Sequence, residues 1–565
     1  MFITKKKISG KNYYYLQKSI RDGNKVKSKM VAYLGKTKEE AEKKAEEIKI
    51  RLEQKTKTNL LDKQITNLQH KKISIDELAS FCKRRGFVYP SAEIYGSIGG
   101  FWDFGPLGVE LKNNIKSEWW KYHIIQREDI VGIDGSIITN PKVWEASGHI
   151  SSFIELAVVC KKCGHKTKID RHELKTAKCE KCDGEYETKG IFNPMFATQI
   201  GPIKEDSLTA YLRPETAQLI FADFKLIQDN SRMQLPFGIA QIGKSFRNEI
   251  SPREFLFRAR EFEQMELEFF VNPNIKCPYI EETKGIFILV YDAKTQLEGK
   301  QSQLTEIYEA YKKGIIKTDW HAYWIAKEYE WFVLLGANPN NFRIRQHKSD
   351  EKSHYSIDTW DLEYLFPMGW RELQGFANRG DFDLSQHQKY SKTNMQMLDE
   401  KGNKFIPHVA CEPSLGVERA FLVFMLDNYF YDEKRQNIVL KLHPKLAPIK
   451  AAVFPIIKKE GYENLAKKIV GELKKEFNVI YDKSGSIGRR YARNDEAGTP
   501  YCITIDKKSI KNKDITIRDR DTTEQIRVKI SDLKEILKKL INKEINFNKA
   551  GKIVKTRVKN IGQLF

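Results

Sequence analysis

Two stretches of the chain repeat apolar residues at helical spacing. Leu111, Ile115 and Trp119 recur at i, i+4 and i+8 within residues 105–124, near the start of which stands a proline. The aromatic-rich segment 321–336 has the same character. Both patterns predict helices whose apolar stripes pack in a core or an interface, so their aromatic residues are not candidates for catalysis.

The segment 245–270 threads charged residues through aromatic ones. At period two, one face of a strand beginning at residue 255 carries Phe255, Phe257, Ala259, Glu261, Glu263, Met265 and Leu267. The opposite face carries Leu256, Arg258, Arg260, Phe262, Gln264 and Glu266. Neither face is plainly core or plainly solvent. The second strand of this hairpin is either a salt-bridged sheet surface or the floor of a site for a charged ligand.

Residues 1–72 are predicted to form an accessory module. Tyrosine-rich and Val/Met-bearing runs flank Asp22-Gly23-Asn24, a turn signal that predicts a β-hairpin. Residues 36–55 then predict a charged helix with few apolar positions, followed by a linker. The module either contacts RNA through basic and aromatic side chains or is a solvated appendage.

The C-terminal part alternates strand-like and helical segments from residue 438 to residue 545, which predicts a small α/β domain. Its predicted helix 486–498 carries Arg489, Arg490 and Arg493, which suit a phosphate backbone or form a solvated face. Residues 546–565 are assigned to a basic tail.

The net charge of the chain suggests the kind of partner that it binds. The 565 residues include 97 Lys+Arg and 75 Asp+Glu, a net charge of +22, which points to a polyanion and first to nucleic acid. No apolar run reaches the roughly 18–20 residues of a membrane span, and the N-terminus lacks a signal-peptide core. A cytoplasmic protein without membrane contact is expected.

Four cysteines form the clearest local motif, Cys160-x2-Cys163-x15-Cys179-x2-Cys182. Paired C-x2-C knuckles at this spacing bind zinc tetrahedrally, and four protein ligands leave no open position for catalysis. A structural zinc is therefore predicted at the centre of an insert at about 155–190. Buried or redox-active thiols are the alternative.

Three further segments place arginine and glutamate among apolar or small residues. They are 211–221 with Arg213 and Glu215, 370–387 with Glu372 and Arg379, and 410–426 with Glu412, Ser414 and Arg419. Each alone could be a buried ion pair, and no Ser/His/Asp triad, Cys/His pair or P-loop accompanies them. Arginine forks suit polyphosphate, rings suit a purine, and glutamates suit an ammonium group or Mg²⁺. Together they predict a site for a nucleotide and an amine.

The chain resembles the class II aminoacyl-tRNA synthetases, specifically the homodimeric glycyl-tRNA synthetase family, over about residues 74–545. Residues 82–120 resemble the block with the first class II motif, which implies a dimer-interface helix. The second and third motifs are represented by FRNEISPREFLFRAREFEQMELEFF and EPSLGVERAF, and the glycine-family signatures by RPETAQLIF and DFDLSQH. The resemblance implies an α+β fold, with an antiparallel sheet flanked by helices in residues 73–437 and an anticodon-binding α/β domain in residues 438–545.

The resemblance also implies roles for site residues. Phosphate binding and catalysis fall to Arg247, Arg258 and Arg419. The rest of the implied ATP-binding set is Asn248, Glu249 at the adenine amino group, Phe257, Phe262 stacked on the adenine, Glu372 as a magnesium or ATP contact, Leu373 and Gly416. The implied glycine-binding set is Glu215, Phe262, Glu266, Arg379 near the substrate carboxylate, Glu412, Ser414 and Gly416. The loop 251–256 is expected to reach the tRNA acceptor end. Gly380 departs from the threonine usual in the family.

The implied activity is ATP-dependent formation of glycyl-adenylate and transfer of glycine to the 3′ end of tRNA(Gly). Mg²⁺ with ATP, a structural Zn²⁺ and a homodimer go with it. A non-catalytic, synthetase-like nucleic-acid-binding protein is the main alternative, and an activating enzyme for another amino acid is the third. The retained Arg247, Glu249, Arg258 and Arg419 argue against a non-catalytic relative.

Overall fold

The computed structural model describes residues 2–8, 11–22, 25–35, 37, 73–153, 155–169, 177–203, 207–252, 254–351 and 358–554. The chain falls into two compact units, Met1–Lys72 and Ile73–Phe565.

The described part of the first unit is an antiparallel sheet in the order Phe2–Ile8, Lys11–Asp22, Lys25–Gly35. The hairpin prediction is confirmed for the last two strands, because Asp22 pairs with Lys25 across a two-residue connection. The preceding strand was not predicted, since three consecutive lysines conceal any alternation there. The predicted charged helix lies outside the described residues, apart from Thr37.

A mixed, mainly antiparallel sheet of nine strands forms the centre of the second unit as far as it is described. In spatial order the strands are Gln303–Glu306, Phe287–Tyr291, Phe342–Gln346, Asp358–Phe366, Gly369–Asn378, His408–Gly416, Glu261–Val271, Phe237–Phe246 and Ile130–Ile133. Two neighbouring pairs are parallel, one towards each side of the sheet. The site-bearing strands in the middle are all antiparallel to their neighbours.

Helices bury both faces of this sheet. One face packs against Pro106–Trp120, Asp319–Leu334 and Val417–Asn428, and the other against Ala217–Ala222, Phe224–Ser231 and Phe382–Ser391. The two helices predicted from apolar spacing are thus confirmed, and Leu111, Ile115 and Trp119 are fully buried in the larger core. Among the described helices, none combines the length and apolar character needed to cross a bilayer.

Smaller elements surround this core. The additional helices are Ile75–Arg85, Pro141–Ala146, His149–Ser152, Ala293–Leu297 and Ile307–Lys312. The additional strands are Val88–Pro90, Trp102–Phe104, Ile138–Thr139, Ala197–Ile200, Leu208–Leu212, Met397–Leu398, Lys404–Phe405, Tyr429–Asp432 and Asn437–Leu440. The last two strands pair with each other across the predicted domain boundary at residue 437.

The strand predicted to begin at residue 255 begins only at Glu261. Glu254 and Phe255 adopt φ values of 62° and 57°, and Phe255–Phe257 form a 3₁₀ turn. The period-two faces predicted for 255–260 are therefore wrong, because that backbone is not extended. From Glu261 to Val271 the alternation holds, and Met265 and Leu267 are buried in the larger core.

Three described strands between residues 155 and 192 form a small antiparallel sheet in the order Tyr186–Phe192, Glu155–Cys160, Lys166–Ile169. We call this element the cysteine ribbon, because the four predicted metal ligands lie in it.

The C-terminal region folds around a sheet of six described strands. Their order is Val479–Tyr481, Ala451–Pro455, Tyr501–Ile505, Asp514–Asp519, Gln525–Lys529, Lys552–Ile553, with helices Glu460–Leu473, Ile487–Glu496, Lys507–Asn512 and Leu533–Ile541. The predicted alternation of strands and helices is confirmed, but the helix Lys507–Asn512 between two of the strands was not predicted. The last strand lies in the segment predicted as a tail, where Ile553 pairs with Ile526, so this part of that prediction is wrong.

Candidate active site

A cavity of about 360 Å³ lies where the strands Glu261–Val271, Gly369–Asn378 and His408–Gly416 meet the start of the helix Val417–Asn428. All the predicted ATP-binding residues except Asn248 line it, and so do Phe262, Ser414 and Gly416 of the predicted glycine set. Asn248 instead donates its backbone N–H to the carbonyl of Pro194 at 2.7 Å. Sequence motifs more than 150 residues apart therefore converge on one cavity.

Arg247 in the cavity is oriented by aromatic rings and a backbone carbonyl. The Arg247 guanidinium lies 5.7 Å and 5.5 Å from the ring centroids of Phe153 and Phe262. Its Nε donates to the carbonyl of Pro214 at 2.9 Å. Among the described residues no carboxylate forms a salt bridge with Arg247 or with the exposed Arg258. Their positive charge is therefore left for a ligand.

Arg419 also lies against an aromatic ring, but unlike Arg247 it pairs with a carboxylate. Its guanidinium lies 4.7 Å from the Phe257 ring centroid, and Nη1 donates to the Glu372 carbonyl and carboxylate at 3.0 and 3.1 Å. The Arg419 guanidinium lowers the pKa of Glu372, so this carboxylate stays ionised at the cavity mouth. An ionised carboxylate at the mouth of a cavity is a suitable ligand for a hard cation such as Mg²⁺.

The residues that the sequence left open in the second motif are structural. Arg260 donates to the carbonyls of Glu249 and Gly99 at 2.9 and 2.8 Å and so holds the ends of the loop. Glu261 pairs with Lys244, and Glu263 lies 3.1 Å from the ammonium groups of Lys112 and Lys116. The salt-bridged interpretation is thus confirmed for Glu261 and Glu263, whereas Arg260 binds backbone carbonyls instead.

Below the cavity lies a buried carboxylate cluster formed by Glu266, Glu268 and Glu412, whose oxygens come within 4.8 Å of one another. Ser414 lines the cavity and donates its Oγ to Glu266 at 2.7 Å, so it joins the two regions. Glu266 also accepts from the backbone N–H of Thr216 at 3.1 Å. The cluster therefore begins directly at the wall of the cavity.

Burial raises the pKa values of the carboxylates in this cluster. The pKa of Glu412 reaches about 8, although the guanidinium of Arg379 partly offsets the effect of burial. Burial and the charge of Glu412 raise the pKa of Glu268 well above its usual range. Both oxygens of Glu268 lack a hydrogen-bond partner among the described residues. Burial thus disfavours the ionised forms of these carboxylates, and a small cation entering the cluster would favour them.

Arg379 supplies the balancing charge within the cluster. Its guanidinium donates to Asp383 at 2.6 and 2.9 Å and to Glu412 at 2.9 and 3.2 Å, and the side chain is 3% exposed. Arg379 does not line the cavity in this structure. The next residue, Gly380, has a φ of 57°, a conformation that glycine adopts without the steric cost a threonine would meet.

Glu215 lies beside the cluster with an ionised side chain. Burial alone would raise the pKa of Glu215, but His149 and the guanidiniums of Arg379 and Arg247 hold it below its usual range. His149 Nε2 lies 3.3 Å from its carboxylate, and Gln218 donates to it at 3.2 Å. Glu215 is therefore a fixed anion near the cavity.

The cysteine ribbon brings all four predicted metal ligands together. The Sγ atoms of Cys160 and Cys182 are 3.4 Å apart, those of Cys163 and Cys179 are 3.6 Å apart, and none is in a disulfide. A Cβ at Gly184 would lie 2.8 Å from the Cys160 sulfur, so the chain needs glycine there. Four converging thiols are a donor set that fits tetrahedral Zn²⁺. The isolated cysteines Cys82, Cys277, Cys411 and Cys502 are all buried, as packing residues are.

Several site residues are absent from the sequence prediction. They are Lys168, Gln264 and Glu418 in the cavity wall, and His149, Thr216 and Asp383 around the buried cluster. Gln264 shares the strand face of Phe262 and Glu266, so alternation alone could have identified it. Lys168 and His149 come from segments without a charge or spacing signal, and only the folded chain brings them to the site.

Comparison with known proteins agrees with this site. Residues 202–429 match the family described as tRNA synthetase class II core domain (G, H, P, S and T), and residues 450–540 match the family described as anticodon binding domain. A prolyl-tRNA synthetase from Cryptosporidium parvum, solved in complex with halofuginone and AMPPNP, aligns with a TM-score of 0.50 at 16% identity. The alignment covers 83% of this chain and 75% of that one. At this identity the likeness shows a shared fold.

Curated relatives match at much higher identity. Glycine–tRNA ligase from Borrelia hermsii is 42% identical over 470 residues, which are 82% of this chain and 96% of the relative. The glycine–tRNA ligases of Thermobifida fusca and Geobacillus thermodenitrificans are 41% and 43% identical, covering 82% and 83% of this chain and 97% and 98% of those proteins. With the cavity and the two domain matches, this shows that the chain belongs to the glycine–tRNA ligase family of class II aminoacyl-tRNA synthetases.

Proposed function

We propose that this chain is a glycine–tRNA ligase that activates glycine with ATP in the cavity and then charges tRNA(Gly). The observation that carries the proposal is the junction at Ser414, where an arginine-lined cavity meets a buried excess of carboxylates. ATP brings negative charge to the first region, and glycine brings an ammonium group to the second. The carboxylate of glycine then lies at the boundary, next to the α-phosphate.

ATP binding falls to the cationic and aromatic groups of the cavity. Arg247, Arg258 and Arg419 would neutralise the phosphates, Phe262 would stack on the adenine, and Glu249 would accept from its amino group. Mg²⁺ bound with ATP would add further charge neutralisation, and Glu372 is the residue that would hold it. No protein nucleophile is needed, because the glycine carboxylate attacks the α-phosphorus and pyrophosphate leaves.

Glycine binding falls to the buried cluster. Glu215, Glu266 and Glu412 would surround the ammonium group, with Ser414 at the cavity wall. In the structure Arg379 pairs with Asp383 and Glu412, so its role towards the substrate carboxylate would begin with orienting Glu412. Selectivity would come from excluding any side chain, and rejecting a larger amino acid by clash is easier than rejecting a smaller one.

Two further features complete the proposal. The cysteine ribbon would hold a structural Zn²⁺ through Cys160, Cys163, Cys179 and Cys182, since four protein ligands leave no open position. The chain would work as a homodimer: Ile94, Tyr95 and Ile98 are 86%, 86% and 67% exposed just before the region resembling the first motif's helix, and a partner would cover them. Sedimentation equilibrium tests the dimer.

The loop 251–256 and the C-terminal domain would contact tRNA. In that domain Arg490 is buried and donates to the carbonyl of Pro455, and Arg493 pairs with Asp482, so both stabilise the fold. Arg489 stays exposed and is the arginine of this helix that remains suited to a phosphate.

Pyrophosphate exchange with a panel of amino acids, followed by charging of tRNA(Gly), tests the function. We expect exchange with glycine alone and glycine-dependent charging. A non-catalytic nucleic-acid-binding protein would bind tRNA without any exchange, and an enzyme for another amino acid would exchange with that amino acid instead.

A further inference from the structure

We propose that the cysteine ribbon takes part in ATP binding. Its residue Lys168 forms part of the cavity wall and is a positioning residue for Glu249. This inference rests on the proposed function of the cavity and adds a residue and a metal dependence to it. Lys168 lines the cavity together with Glu249, although the two residues belong to different elements.

The contacts of Lys168 place it between two carboxylates. Its ammonium group lies 3.3 Å from the carboxylate of Glu249 and also pairs with Glu155, at the start of the first ribbon strand. The side chains of Lys168 and Glu249 are 31% and 13% exposed, so solvent screens this contact only partly. Lys168 thus fixes the direction of the carboxylate that would accept the adenine amino group.

A second contact joins the same ribbon strand to the same loop. Ser251, two residues after Glu249, donates its Oγ to the carbonyl of Lys166 at 2.7 Å. The strand Lys166–Ile169 therefore contacts residues 249–251 at two points, through the side chain of Lys168 and through the carbonyl of Lys166. One contact is ionic and the other involves the backbone, so they can be separated by substitution.

The cysteine cluster controls the position of this strand. Residues 160–165, which include the knuckle Cys160–Cys163, are the turn that joins the strands Glu155–Cys160 and Lys166–Ile169. The backbone N–H of Cys160 donates to the carbonyl of His165 at 2.8 Å and closes this turn. Across the hairpin Ala157 pairs with Lys168. A metal ion held by the four thiols would fix the turn and, through the hairpin register, the place of Lys168.

The decisive measurement is equilibrium binding of two nucleotides to the full chain, ATP and purine riboside triphosphate, which lacks the 6-amino group. Lys168→Met should weaken ATP about tenfold, as expected for loss of one charge-assisted contact, and leave purine riboside triphosphate nearly unchanged. The preference for ATP should fall by the same factor. A residue that only supports the fold would weaken both nucleotides equally.

The matched control is Lys166→Met, two residues away on the same strand. Its side chain is exposed and its carbonyl contact to Ser251 survives the substitution, so the preference for ATP should persist. Cys163→Ser in the knuckle should reproduce the Lys168→Met defect, and the double variant should show no additional loss of preference, because both act on one contact.

Three results would overturn the proposal: an unchanged ATP preference in Lys168→Met, an equal loss in Lys166→Met, or additive effects in the double variant. If Cys163→Ser does not fold, as judged by circular dichroism, Lys168→Met and its control still decide. Wild-type protein that binds ATP but exchanges no pyrophosphate with glycine would count against the proposed function and leave this test intact.

Discussion

The cavity and the buried carboxylate cluster are adjacent, and they handle charge in opposite ways. In the cavity, Arg247 is held by two aromatic rings and a backbone carbonyl. These neutral partners orient the guanidinium without neutralising its positive charge. In the cluster, the guanidinium of Arg379 donates to the carboxylates of Asp383 and Glu412. The charge of Arg247 is therefore available to solvent and to a ligand. The charge of Arg379 instead compensates carboxylates that are buried away from water.

This arrangement allows one site to receive two substrates of opposite charge. An open cationic cavity accepts many anions, because screening by water makes exposed ion pairs weak and unselective. A buried anionic cluster is costly until a cation enters, so it can discriminate strongly. ATP binding and glycine recognition are therefore expected to respond differently to substitution and to pH.

Arg379→Ala should have the largest effect, because it leaves two buried carboxylates without their partner. Loss of a buried ion-pair partner typically costs about 3–5 kcal/mol of unfolding free energy. Urea denaturation measures this value, and Arg489→Ala, at an exposed position, is the control with little expected change. A loss for Arg379→Ala as small as that of the control would mean that water reaches the cluster.

Arg247→Ala and Arg419→Ala should act on catalysis and leave folding largely intact. Each removes a charge that would stabilise the transferring phosphate, and such groups are worth about 10²–10³ in rate. Glycine-dependent pyrophosphate exchange gives the rate, and the exposed neighbour Arg371→Ala is the matched control. Exchange close to the wild-type rate would remove these two arginines from the phosphate site.

Glycine binding should depend on pH through Glu412, whose pKa is raised to about 8. A protonated Glu412 does not attract the ammonium group, so the KM for glycine should rise as pH falls below about 8, by at most about tenfold per pH unit. The KM for ATP, measured over the same range, is the internal reference. In Glu412→Gln the residual glycine KM should lose this pH dependence; an identical profile in both proteins would assign the titration elsewhere.

Glu268→Gln should have the smallest effect. Burial raises the pKa of Glu268 well above its usual range, so we expect the amide to replace a neutral group of similar shape, with a change in unfolding free energy below about 1 kcal/mol. Glu266→Gln is the comparison, because Glu266 accepts from Ser414 and Thr216 and its amide would place a donor against donors. Equal effects in the two variants would show that Glu268 is ionised.

The sequence predicted what depends on local spacing and missed what depends on distant chain segments. The four thiols converge as their C-x2-C spacing predicts, and Met265 and Leu267 alternate with Glu266 as a strand requires. The turn at Glu254 and Phe255 was missed, because non-glycine residues rarely adopt positive φ and carry no signal for it.

The ion partners could not be predicted for a different reason. Lys168 and Glu249 are 81 residues apart, and Arg379 and Glu412 are 33 apart, so their pairing is decided by the tertiary fold. The family resemblance identified Arg379 as a site residue, but only the structure shows that its guanidinium donates to two carboxylates.

The short strand Lys552–Ile553 has a consequence for the solution behaviour of the C-terminal domain. It covers the outer strand Gln525–Lys529, whose residue Gln525 also accepts a hydrogen bond from the N–H of Val554 at 2.8 Å. Without residues 552–554, the edge strand Gln525–Lys529 would present unpaired backbone donors and acceptors, which are a template for pairing with another chain. A protein ending at residue 545 should therefore associate through this edge, whereas one ending after residue 554 keeps it closed.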